Sequence, residues 1–159
     1  MIQCTFRLNG FGLSNLSCPG IGFFPAYSGN AGAHRNNPDS VSIQGTGPLP
    51  PGRYYIVNRP RGGVGSFVMD AFASKISGSD RDHWFALFRD DGSVDDVTFI
   101  NGVSRGLFRL HPAGYEGTSN GCITLPSPSH FRVLREAILR TPTYLVSGSL
   151  RAYGTIQVY

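Results

Sequence analysis

A histidine and a cysteine eleven residues apart, in HPAGYEGTSNGCITL (residues 111–125), are the groups of this chain best suited to covalent chemistry. A cysteine attacks as its thiolate, and neutral water ionises only a few per cent of an ordinary thiol. An imidazole within hydrogen-bond reach of Cys122 can take that proton and later return it to a leaving amine. His111 is the histidine nearest in sequence. It follows the apolar run GLFRL (106–110), which places it at the end of a strand with its ring over the sheet's rim. Gly121 removes a side chain where a substrate carbonyl must approach. The turn there frees the backbone N–H groups of Gly121 and Cys122 to face a developing oxyanion. The plainer reading is a buried cysteine ahead of Ile-Thr-Leu and a loop histidine ahead of a proline. The order strand, His, Gly-rich loop, Ser-x-Gly-Cys, strand argues against it. Papain-like enzymes run Cys first and His later, so their plan does not apply.

The elements that must position these groups read mostly as strands. Residues 2–8 alternate weakly, and GPLPPGRYYIV (47–57) is a proline-glycine turn feeding a strand. HWFALF (83–88), VTFI (97–100) and GLFRL (106–110) are three more, and LRAYGTIQVY closes the chain. Residues 9–40 are rich in Gly, Asn, Ser and Pro and read as an ordered loop over the core. A short helix is expected over 66–77. A clearer one is expected over 129–140, capped by Ser129, with Phe131, Leu134, Ile138 and Leu139 on one side. No internal repeat and no second domain are apparent, so residues 1–159 read as one domain.

Composition bounds the function. Apolar residues at 40% and aromatics at 12% suit a packed globule, and 21 glycines with 11 prolines favour turns and strands over a helical bundle. The net charge of +4 comes almost entirely from arginines, Lys75 being the lone lysine, but they form no basic stripe. Nucleic acid is therefore not expected as a partner. No stretch reaches the roughly 18 apolar residues of a membrane span. Met1–Arg7 lacks the pattern of a secretory signal peptide, which leaves either a cytoplasmic protein or one exported by another route. Asp80–Asp96 holds six of the ten acids, but their spacing does not fit a calcium loop; neither metal nor cofactor is expected. Cys4 and Cys18 either pair in an oxidising compartment or fill space as small apolar side chains. His34, His83 and His130 read as structural or surface residues.

FRLHPAG, SNGCITLP and AYSGN…GPLPPG together resemble the type VI secretion L,D-transpeptidase effectors, a branch of the YkuD-type L,D-transpeptidases, over residues 20–140. The resemblance implies a mainly β, sandwich- or barrel-like catalytic domain with a few short helices. It implies that Cys122 attacks the carbonyl of the third residue of a peptidoglycan tetrapeptide stem, commonly meso-diaminopimelate, and expels D-alanine. His111 serves as base and then acid, and N–H groups around Gly121 hold the oxyanion. Ser119, or a backbone carbonyl near it, orients the imidazole. Water then gives L,D-carboxypeptidase action and a D-amino acid gives exchange. Arg109, two before His111, is a candidate for gripping a stem carboxylate or is paired with an aspartate; Asn120 and Thr124 are candidate pocket walls. Housekeeping enzymes carry histidine at the position of Asn120 and arginine at that of Thr124. The effector branch also implies delivery into the target's periplasm, a secretion component and a cognate immunity protein. Two alternatives are a housekeeping L,D-transpeptidase and a non-catalytic peptidoglycan-binding module.

Overall fold

The computed structural model describes residues 1–60, 81–114 and 119–159. The helix expected over 66–77 falls outside the described residues. The strands are β1 (Ile2–Phe6), β2 (Ser14–Cys18), β3 (Gly22–Ser28), β4 (Gly52–Asn58), β5 (Phe85–Arg89), β6 (Val97–Ile100), β7 (Val103–Gly106), β8 (Arg109–Pro112), β9 (Ile123–Leu125), β10 (Tyr144–Ser147) and β11 (Leu150–Val158). A single described α-helix, α1 (Pro128–Arg140), lies between β9 and β10. The protein is mainly β, as expected.

Among the described residues nine strands form one sheet in the order β1-β2-β3-β9-β8-β5-β4-β11-β10, and β1 also pairs with β11. All but β10 thus close into a ring, which removes the sheet edges that invite pairing with other chains. Closure depends on a glycine. A Cβ at Gly154 would lie 2.0 Å from the Ile2 carbonyl oxygen, so only a bare backbone lets β1 dock there in parallel register.

Inward positions fill the ring at every second residue, as the pleat requires. Ile2, Cys4 and Phe6 point in from β1, and Ser14, Leu16 and Cys18 from β2. Leu87, Leu110, Ile123, Leu125 and Ile156 join them in the main core. A smaller cluster of Val57, Ala86, Phe88 and Ala152 collects Tyr144 and Val146 of β10. Helix α1 adds Phe131, Leu134 and Ile138 to the main core, whereas Leu139 is 44% exposed and does not share the buried face. Its cap is Ser127 rather than Ser129: Pro128 opens the helix, and Ser127 Oγ accepts the His130 N–H at 3.2 Å. Proline at the first helical position and serine just before it is the favoured pairing.

The stretch 9–40 is not simply a loop, because it contains β2 and β3. GLFRL is also divided. Gly106 ends β7, Leu107 takes a positive φ of 56°, and β8 begins at Arg109.

Cys4 and Cys18 form a disulfide between neighbouring strands, leaving Cys122 as the free cysteine. Closing a loop of this size restricts the unfolded chain by about 3 kcal/mol. Cys4→Ser should accordingly lower unfolding stability in urea titrations by about 2–4 kcal/mol. The oxidised wild type, denatured without reductant, should titrate one thiol per chain; three would show that the bridge does not form.

Candidate active site

Strands β8 and β9 run parallel, with Leu110 opposite Ile123 and His111 opposite Thr124. Cys122 stands one residue before β9, so His111 and Cys122 are diagonal neighbours across this pair. The two residues sequence reasoning singled out are thus brought to one place by a single strand pairing. Both are buried, at 5% and 8% exposure. The turn into Cys122 needs its glycine. Gly121 has φ +92°, and a Cβ there would sit 2.6 Å from Arg105 Nη2 and 2.8 Å from Phe108 Cε1.

The imidazole's Nδ1 lies 2.7 Å from the Pro112 carbonyl oxygen. A carbonyl only accepts, so Nδ1 carries the proton and Nε2 is the basic nitrogen. Nε2 faces Thr124 Oγ1 at 3.3 Å, and the hydroxyl donates to it. Trp84 stacks on the ring, centroids 4.3 Å apart and planes 21° from parallel. Burial is the main reason the imidazole's pKa falls to about 4; the Pro112 carbonyl partly offsets this, and the Arg81 charge adds to the fall.

The Cys122 thiol lies 3.9 Å from the Leu107 carbonyl oxygen. Burial pushes its pKa up to about 11, against the Arg109 backbone N–H and the charges of Arg109 and Arg81, which favour the thiolate. The resting pair at neutral pH is therefore a neutral thiol and a neutral imidazole. No hydrogen bond joins the two among the described residues. An uncharged thiol beside an uncharged base suits proton transfer during attack on an electrophile rather than a preformed ion pair.

The remaining predicted residues divide by role. Ser119 does not touch the imidazole: its hydroxyl donates to the Cys122 carbonyl at 2.8 Å, and its N–H donates to Asn30 Oδ1 at 3.0 Å. Asn120, exposed, accepts from Asn30 Nδ2 at 3.3 Å. Arg109 is committed to Asp96 through two N–H donors at 2.7 and 2.6 Å, so its fork is already occupied. The aspartate alternative therefore describes the observed pairing. Thr124 is fully buried against the histidine. His34 Nδ1 sits 3.0 Å from Ser40 Oγ, and His130 packs edge-on to Phe24, both away from the pair.

Three residues here were not foreseen. Trp84 was read only as part of a strand, although it supplies the histidine's wall. Asn30 looked like loop polarity, yet it staples the turn before Cys122. Arg105 is buried and donates to the carbonyls of Val41, Gly47 and Pro48, the last two at 2.9 and 3.3 Å. Desolvation lowers its pKa, and its guanidinium lies over the Phe108 ring. It bolts the 41–48 loop to the Gly121 turn. Nothing in its local sequence, VSRGLF, marks it apart from an exposed strand arginine.

A buried thiol and a tautomer-fixed imidazole on adjoining parallel strands of a closed β ring define a candidate cysteine site of the acyl-transfer class. The family model of the Tlde1 domain matches residues 22–149, and the chain belongs to that family, one of type VI secretion L,D-transpeptidase effectors. Neither the curated proteins nor the solved structures give a significant match.

Gly121→Ala should cost roughly 1–3 kcal/mol in backbone strain alone, with more from overpacking because carbonyls pin Arg105; urea unfolding reads this directly. The histidine also predicts a pH dependence. Its folded pKa of about 4 lies below the unfolded value near 6.5, so the unfolded chain takes up the proton first as pH falls. Its contribution is intact above pH 6.5 and is lost progressively toward pH 4. His111→Gln should flatten the stability slope in that window, and an unchanged slope would show that the imidazole is not buried neutral.

Proposed function

We propose that this protein is a cysteine L,D-carboxypeptidase or D-amino acid exchange enzyme acting on peptidoglycan tetrapeptide stems, delivered as an antibacterial toxin. The observation that carries the reading is the fixed tautomer of His111, which leaves Nε2 basic on the strand that pairs with the one Cys122, the free cysteine, leads into. Family membership supports the substrate class.

Nε2 takes the Cys122 proton as Sγ attacks the carbonyl of the third stem residue. Backbone N–H groups of Gly121 and Cys122 receive the oxyanion, each worth a few kcal/mol in such sites. Collapse breaks the C–N bond, and the imidazolium returns the proton to the departing D-alanine amine. The resulting thioester is opened by water, which passes a proton to Nε2 and gives a tripeptide, or by a D-amino acid, which gives exchange. The thiolate recovers its proton at the end of either route. Ser119 holds the Cys122 carbonyl and so shapes the turn, Pro112 orients the imidazole, and Thr124 occupies Nε2 at rest. Asn120 is exposed on the turn before Cys122; Arg109 serves the strand rather than the substrate.

The disulfide supports action in an oxidising compartment, which suits the periplasm of a target bacterium. Residues 1–159 act in this reading as one catalytic domain of the wider L,D-transpeptidase plan. The producing cell needs an immunity protein that closes this site.

Incubating purified tetrapeptide muropeptides with wild type and with Cys122→Ala tests the reading by mass spectrometry. Loss of one D-alanine, or its replacement by added D-methionine, is expected with the wild type alone. Unchanged tetrapeptides with folded wild type would favour a peptidoglycan-binding module instead. Because the imidazole stays neutral down to about pH 4, the acid limb of kcat/KM should fall near 4 rather than near 6.5.

A further inference from the structure

Trp84, whose ring stacks on His111, also lines a cleft of about 400 Å³. Among the described residues its walls include Arg59, Arg81, Arg135, His83 and one acid, Asp82. Three arginines against one aspartate make the described lining basic. The Arg81 guanidinium lies over the Trp84 ring, 5.3 Å from its centroid. Its charge is felt at both His111 and Cys122, so the cleft and the reacting pair are electrostatically one region.

Arg135 is placed to bind rather than to brace. It projects from α1, is half-buried, and donates Nε to the His83 carbonyl at 3.2 Å. That bond fixes the plane of the guanidinium, and among the described residues its Nη groups have no acceptor. A guanidinium held in this way presents its remaining donors as a pre-oriented fork, the geometry that matches a carboxylate. The tryptophan wall supplies apolar contact to the chain carrying that carboxylate.

We propose that this cleft is a subsite for a carboxylate of the substrate peptide, gripped by Arg135, while the scissile carbonyl lies against Cys122. The proposal rests on the acyl-transfer reading above. A tetrapeptide ending in diaminopimelate and D-alanine offers two such groups close to the scissile bond. One is the free side-chain carboxylate of diaminopimelate and the other is the C-terminal carboxylate of D-alanine. The chemistry of recognition is the same, and the substrate that loses it identifies the source.

Three tetrapeptides test this: the native one, one amidated at the C-terminus, and one amidated on the diaminopimelate side chain. Each is assayed with wild type, Arg135→Gln and Arg135→Lys, and each is titrated calorimetrically onto Cys122→Ala. With the native peptide, Arg135→Gln should raise KM about tenfold or more, the scale of a charge-assisted hydrogen bond. Its kcat should stay within about twofold, because the lost contact binds ground and transition states alike. Arg135→Lys, which keeps the charge and loses the fork, should fall between. One amidated peptide should show the same rise on wild type and no further rise with Arg135→Gln. Unchanged KM in Arg135→Gln with an unchanged melting temperature overturns the proposal, as does equal binding of all three peptides. If wild type releases no D-alanine from any peptide, the acyl-transfer reading fails. The titrations then still decide the cleft, since amidation should weaken binding about tenfold.

Discussion

The parallel pairing of β8 with β9 is the constraint on which the site depends. Apart from the β1–β11 contact that closes the ring, every other pairing in the sheet is antiparallel. Parallel neighbours cannot be joined by a tight hairpin, so the chain must travel back before β9 begins. The described end of that return is the turn that carries Ser119, Asn120 and Gly121. The parallel register sets Thr124 level with His111 and leaves Cys122 at the mouth of β9. The pairing is short, so its ends are reinforced: Ala113 N–H donates to the Leu125 carbonyl at 2.8 Å.

Two buried arginines hold this corner, and neither gains its place from net stability. Moving a guanidinium out of water costs several kcal/mol, and a buried pair often does no better than a packed apolar one. Arg109 with Asp96, and Arg105 with its three carbonyls, act through geometry instead. Once buried, each is satisfied in one arrangement only, and loss of a partner strands a charge at a cost of about 3–5 kcal/mol. Arg105 thereby ties the 41–48 loop to the backbone of Gly121, while Arg109 ties β8 to the segment ahead of β6. Cys122 lies within reach of both charges.

What was legible in the sequence follows from how local each signal is. β4, β6 and β11 announce themselves through short apolar or alternating runs beside turn residues, and the candidate pair His111 and Cys122 through residue type and spacing. β2 and β3 do not. Their outward positions are Asn15, Phe23 and Pro25, and only pairing with β1 and β9 turns a Gly- and Ser-rich stretch into sheet. The disulfide was undecidable because either fate of Cys4 and Cys18 is consistent with inward-facing cysteines. Ser127 and Ser129 both stand at the start of the helix, on either side of Pro128. Pro128 decides between them, since its fixed φ suits the first helical position and leaves Ser127 as the cap. The tasks of Arg105, Trp84 and Asn30 arise from partners 27 to 90 positions away, which composition and periodicity do not encode. The general lesson is that residue chemistry survives in sequence, whereas the scaffolding of that chemistry is tertiary.

Burial of Cys122 also lets a free thiol coexist with a disulfide in the same small protein. A thiol with a pKa of about 11 is ionised in only on the order of one molecule in ten thousand at pH 7. Thiol–disulfide exchange and oxidation to sulfenic acid both proceed through the thiolate. Cys122 is thus kept out of exchange with Cys4 and Cys18 and is slow to oxidise, even where the disulfide is stable. The same neutrality forbids attack unless a base takes the proton as the new bond forms. His111 is suited to that task because its own burial keeps it unprotonated and Pro112 points its lone pair away from the backbone. Reactivity in this arrangement is conditional on an electrophile being seated, which explains why the cysteine and its base can both be held uncharged without sacrificing the proposed chemistry.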